Sequence, residues 1–117
     1  MSMLSTILAV ILGIAFLGAG ITKLTRQKQM VENFKRWGYA DVVLIATGTV
    51  ELLAALMLLV GIALQFLAVT GGMLIILVML GALMTHQRAH DKLALWIPPV
   101  VLLGLDIGLL VSLLPEG

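Results

Sequence analysis

Residues 42–84 carry one charge, Glu51, and one other strongly polar side chain, Gln65. A helix crosses about 30 Å of hydrocarbon with roughly 20 residues. The run is therefore too long for one crossing and reads as two helices joined by a tight turn over 61–66. A soluble core helix would show a solvated face at helical period, and none appears around Glu51. Residues 3–22 are likewise apolar and uncharged, which predicts an earlier crossing. No Lys or Arg precedes that segment, it exceeds the apolar part of a secretory signal, and Lys23-Leu24-Thr25 follows where a small-residue cleavage site would stand. It is expected to stay in the mature chain. Another crossing is predicted over 98–114, with Pro98-Pro99 in its first turn, where missing N–H groups cost nothing. The expectation is a single all-α domain: an integral membrane four-helix bundle with helices at about 3–22, 42–62, 66–85 and 98–114.

Two polar connections interrupt this pattern. The longer, 23–41, holds Lys23, Arg26, Lys28, Lys35 and Arg36 against Glu32 and Asp41, while Met30, Val31, Phe34 and Trp37 recur at helical spacing. That predicts a short amphipathic helix over 29–37 lying at the interface, with Trp37 and Tyr39 as anchors and the basic residues meeting anionic lipid. Asp41 fits an N-cap for the next helix. The shorter connection, 86–92, contains His86, Arg88, His90, Asp91 and Lys92. His86 and His90, four apart, could share a helical face as metal ligands near Asp91, but the stretch also reads as an ordinary interfacial turn, and no metal site is assigned.

Every Lys and Arg falls in these two connections, so the positive-inside rule places both in the cytoplasm and both termini outside the cell membrane. With 62% hydrophobic and 11% charged residues, the chain has almost nothing to place outside the bilayer. A net charge of +1 without a large basic face argues against nucleic acid. Zero cysteines exclude dithiol chemistry and thiolate-held clusters within the chain, so any redox role needs a bound cofactor or a partner.

At 100° per residue the second helix puts Leu44, Thr47, Gly48, Glu51, Ala54, Ala55 and Leu58 on one side, with Val42, Ile45, Leu53, Leu56 and Val60 opposite. Small and polar residues on one face and bulky aliphatics on the other predict one side in protein and one in lipid. Glu51 then points into the bundle, where insertion costs about 3 kcal/mol, offset by its aliphatic neighbours. Ten residues separate Glu51 from Asp41, a depth of about 15 Å that Lys23 alone is not expected to span. Asp106 occupies the middle of the last helix, with Gly104 and Gly108 as a G-x-x-x-G pair on its other side, suited to a homo-oligomer or another membrane protein. A weak internal echo aligns Leu17–Lys23 with Leu80–His86. If it marks two related hairpins, Lys23 corresponds to His86 and Glu51 to Asp106, and the two acids share one polar pocket.

Gly20-Ile21-Thr22-Lys23-Leu24, Asn33-Phe34 with Trp37-Gly38-Tyr39, Glu51-Leu52-Leu53 and Thr85-His86, in this order and spacing, resemble the DoxX-like family of small membrane proteins. Ala40-Asp41 follows Tyr39 where the family often has a proline. The resemblance implies a four-helix bundle and an association with membrane redox chemistry, since the family takes its name from a subunit linked to thiosulfate and quinone oxidoreduction. The expected function is an accessory or membrane subunit of a quinone-linked or other membrane redox system. Lys23, Glu51, His86 and Asp106 are its candidate ligand-binding or proton-relay residues, and quinone is the candidate cofactor. The alternative is a non-catalytic membrane protein that binds an apolar ligand or assists assembly of a larger partner. A self-contained enzyme is disfavoured, and no catalytic residue is assigned.

Overall fold

A computed structural model describes residues 1–115 as five helices, with no strand among them. They are α1 (Met3–Leu24), α2 (Lys28–Arg36), α3 (Asp41–Val60), α4 (Gln65–Ala89) and α5 (Leu93–Ser112). All but α2 are long and apolar enough to cross a membrane. Their surfaces are inverted relative to a soluble protein. Ile14, Val42, Met73 and Leu77 are each more than half exposed, whereas the buried interior includes Ala9, Ala54, Ala55 and Ala68. Exposed apolar surface on this scale requires lipid around it, and the long dimension of 46 Å fits a bilayer with its interfacial layers.

The four long helices form a ring. α1 packs on α3 and α5, and α4 packs on the same two helices. Because successive crossings are antiparallel, the start of α1, the end of α5 and the 61–64 turn share one end, here the terminal end. α2 and the α4–α5 turn share the other, basic end. Small residues set the spacing of the helices. A Cβ on Gly20 would lie 2.9 Å from the Gly48 carbonyl oxygen, so α1 and α3 touch backbone to backbone there, while the missing Cβ of Gly13 makes room for the Leu59 side chain, whose Cδ2 would stand 2.6 Å away. For α3 with α4 the glycine contacts fall towards the terminal end, where Gly61 meets Ala68 and Gly71 meets Ala54. The same end ties α1 to α5 through Ser5 Oγ and Ser112 Oγ, 2.7 Å apart. The α1–α3 and α4–α5 pairs are thus fastened at the terminal end, and α2 lies across them at the basic end.

The face assignment of α3 holds in three dimensions: Leu44, Gly48, Glu51, Ala54, Ala55 and Leu58 are buried, and Val42, Ile45, Leu53, Leu56 and Val60 are exposed. Several boundaries differ from the sequence reading. α4 continues past Thr85 to Ala89, which keeps His86 inside the helix. α5 begins at Leu93, so Pro98 and Pro99 lie inside it and not in its first turn. Residues 93–97 are uncharged and apolar and extend the span, at the expense of the bonds that the two prolines cannot donate to Ala94 and Leu95. Ala40 is the N-cap residue of α3, without a side-chain cap; Asp41 instead pairs with Arg26 at 3.1 Å. His90 ends α4 in the left-handed region at φ 53° and is not a second imidazole on the helical face of His86.

Candidate functional site

Lys23 occupies the last turn of α1. A Cβ on Gly48 would stand 2.8 Å from the Lys23 Cβ, so the two residues are level. Gly48 lies seven residues below Asp41, about 10 Å down the helix, and Lys23 therefore starts far deeper than the end of α3. Its Nζ reaches Glu51 Oε1 at 2.8 Å, with 14% of the lysine side chain and 4% of the glutamate side chain exposed. The expectation that Lys23 could not span the distance is corrected. It assumed that α1 and α3 end at one height, whereas the Gly20–Gly48 contact slides α1 down along α3. The pair meets at ion-pair distance, and Glu51 Oε1 has no further partner beside the Lys23 ammonium.

A second polar cluster centres on Asp91, between α4 and α5. Its Oδ2 accepts from His86 Nδ1 at 2.6 Å and from Trp37 Nε1 at 3.1 Å, and Arg36 binds its other oxygen. The Arg36 hydrogen bond, then those from His86 and Trp37, outweigh burial and hold the Asp91 carboxyl down at about 2. The cluster ties α2 to the α4–α5 turn. It also fixes the His86 ring, wedged between Trp37 at 5.5 Å and Trp96 at 6.1 Å. With Nδ1 committed to Asp91, Nε2 is the nitrogen left for other chemistry. The sequence reading placed Asp91 only beside a metal site. Its distance from α2 in sequence, 55 residues to Arg36, conceals the cluster; the visible signal is a lone acid among basic and aromatic interfacial residues.

These groups share a cavity of about 660 Å³ at the basic end, bounded by all five helices. Lys23, Glu51 and His86 are in its wall. Phe16, Leu77, Val78, Met79, Pro99 and Leu102 supply much of the apolar remainder, and Arg36, Trp37 and Tyr39 close the interfacial side. Asp106 is not part of it. It is fully buried against Gly72 of α4, whose Cβ would stand 3.2 Å from Asp106 Oδ1, and neither of its oxygens has a partner. The shared pocket for Glu51 and Asp106 is therefore not observed. Gly72 lies 14 residues, about 21 Å, from His86 along α4, so the two hairpins are not equivalent in their polar contacts: Lys23 meets Glu51, but His86 meets Asp91. Among the described residues, no group of three or more His, Asp or Glu is arranged to hold a metal ion.

The DoxX-like family profile matches residues 7–109. The chain belongs to this family. As a DoxX-like protein it has a relative in Bacillus subtilis (strain 168), named uncharacterized protein YdgD, that is 29% identical over 111 residues, covering 94% of this chain and 97% of the relative. No solved structure matches the chain. The DoxX-like match encloses the Lys23–Glu51 pair, the Asp91 cluster and Asp106, and the protein is a multi-pass membrane protein in contact with the bilayer.

Proposed function

We propose that the cavity binds a small lipophilic molecule with a polar, proton-exchanging head, a quinone of a membrane redox system, and that the chain serves that system as a membrane subunit. One observation carries the reading: a buried ion pair and an oriented imidazole open into the same largely apolar cavity. The volume lies in the usual range for small-molecule sites, and a few converging polar groups in an apolar wall are what such sites present. The residues fit a quinone head. Lys23 Nζ and the His86 ring are donors for carbonyl oxygens, and Glu51 Oε1 retains acceptor capacity for a hydroxyl. A bound quinone supplies two-electron, two-proton chemistry. Lys23 orients the head and holds positive charge beside it. Glu51 balances that charge and takes or returns a proton at Oε1, His86 does so at Nε2, and Asp91 keeps the imidazole turned for it. The apolar wall excludes bulk water. Electrons come from a partner protein, since the chain has no cysteine.

The outer face of α5 supports such a partner or a second copy: Gly104 and Gly108 are both exposed there, and a Cβ on Gly104 would meet nothing within 4 Å. By the positive-inside rule the basic end faces the cytoplasm. The test is purification in mild detergent, solvent extraction for quinone, and titration of the stripped protein with a short-chain quinone followed by Trp fluorescence. Co-extraction or saturable binding that Glu51→Gln weakens is expected. Absence of both in the parent protein overturns the reading and leaves assembly as the function.

A further inference from the structure

A second groove, also about 660 Å³, lies at the basic end and is lined by Tyr39, Gly81, Met84, Gln87, Arg88 and His90. Its chemistry is set by Arg88. The other two arginines carry carboxylates, Arg26 that of Asp41 and Arg36 that of Asp91. Arg88 has none among the described residues, yet it is held in place. Its guanidinium stacks 4.9 Å over the Tyr39 ring, and Nη2 donates to the Trp37 carbonyl at 3.3 Å. Tyr39 is itself pinned by Thr85, hydroxyl to hydroxyl at 2.7 Å. A guanidinium has five N–H donors in a rigid plane, so most of this fork stays free in a fixed orientation, the arrangement that favours bidentate binding of a phosphate.

Depth and shape select the source of that phosphate. Arg88 is 23 residues along α4 from Gln65, about 35 Å, which brings it just beyond the hydrocarbon layer of about 30 Å and into the headgroup region. Deeper along the same groove the wall turns apolar. Met84 is 70% exposed, and a Cβ on Gly81 would meet nothing within 4 Å, which leaves a trough for an acyl chain. A free phosphate has no use for the trough. No carboxylate lines the groove, so a headgroup ammonium would lack a counter-charge, which favours a headgroup whose net charge is negative.

We propose that Arg88, stacked on Tyr39, holds the phosphate of an anionic phospholipid whose acyl chain lies along Met84 and Gly81. This site lies on the lipid side of α4 and does not depend on the quinone reading of the inner cavity. Native mass spectrometry of the detergent-solubilised full chain tests it, by titration with phosphatidylglycerol, phosphatidylcholine or inorganic phosphate. Phosphatidylglycerol should bind tightest. Arg88→Gln should weaken it roughly tenfold, the loss of one charge-assisted contact. Arg88→Lys should recover only part of the affinity, and Lys92→Gln, at the same end but outside the groove, should leave it unchanged. Three results would overturn the proposal: equal binding of the two lipids, unchanged phosphatidylglycerol binding in Arg88→Gln, or inorganic phosphate displacing the lipid stoichiometrically. Should Arg88→Gln fail to fold, Met84→Trp, which fills the trough from an exposed position, carries the same expectation of weakened lipid binding.

Discussion

The Lys23–Glu51 pair gives the most quantitative prediction. At 2.8 Å, two unit charges attract by about 6 kcal/mol at an effective dielectric of ~20, and several kcal/mol of that is offset by removing both groups from water. Glu51→Gln keeps the shape and removes the charge, leaving a lysine ammonium stranded in the bundle. Lys23→Met leaves Glu51 among apolar side chains. Breaking one side of a buried pair costs about 3–5 kcal/mol, and the lower end applies because Lys23 keeps 14% of its side chain exposed. Each single variant should thus lose about 3 kcal/mol, and the double variant should also lose about 3 kcal/mol, not twice that, a coupling of about 3 kcal/mol. Reversible denaturant unfolding in mixed micelles, followed by far-UV circular dichroism, measures all four corners of the cycle. Losses that add to within about 0.5 kcal/mol would show that the two groups are neighbours without being partners, and the account of how α1 is seated on α3 would fail with them.

Asp91→Asn should cost about 1–3 kcal/mol, the range for a hydrogen-bond acceptor that carries charge, and should speed amide exchange in α2; unchanged exchange there would separate Asp91 from the seating of that helix. Because the folded Asp91 carboxyl sits at about 2, below its ordinary value of 3.8, its contribution is fully present above about pH 4 and is lost as pH falls from there towards 2. An acid titration of α2 exchange should follow that window in the parent and lack it in Asp91→Asn. Gly20→Ala drives a methyl to 2.9 Å from a backbone oxygen and should destabilise by about 1–3 kcal/mol, whereas Gly104→Ala meets open space and should leave the melting temperature of the monomer unchanged; equal effects would contradict the close α1–α3 contact. For orientation, a single cysteine at Ser2 should react only with reagent outside the cell and one at Lys28 only with reagent inside; the reverse pattern would invert the topology.

Much of the architecture was legible because lipid imposes a one-dimensional rule. Helices must satisfy their own backbones and present apolar side chains outward, so span number and the inward face of α3 follow from hydropathy and a 100° wheel. What resisted was relative height. Nothing in the spacing of Lys23 or Glu51 says that Gly20 meets Gly48, and that contact alone decides whether a lysine at the end of α1 reaches a glutamate ten residues down α3. The same ignorance of height put Glu51 and Asp106 in one pocket; α4, 25 residues long, sets Gly72 and Asp106 well away from His86. Pro98-Pro99 misled for a different reason. The preference of proline for a first turn is local, and the apolar run before it continued the helix in spite of it.

Height also explains why the polar chemistry gathers at one end. Backbone-close contacts at Gly61 and Gly71, with the Ser5–Ser112 bond, bring the two helix pairs together at the terminal end and leave no space there for a ligand beside Asp106. At the basic end only α1 and α3 stay in glycine-mediated contact, and the larger side chains of α4 and α5 stand off from them around the cavity. Val78 and Ala82 of α4 and Leu102 of α5 are only partly buried there, so packing does not close the opening. The sequence closes it with polar contacts instead, through α2 and Asp91. α2 is held there by the Asp91 bonds, by the buried Phe34 ring and by the Tyr39–Thr85 and Arg88–Trp37 hydrogen bonds that follow it, and the terminal-end contacts that hold the crossings together are independent of all of these. Substitutions that loosen α2 should therefore change exchange of the proposed ligand more than they change the packing of the four crossings.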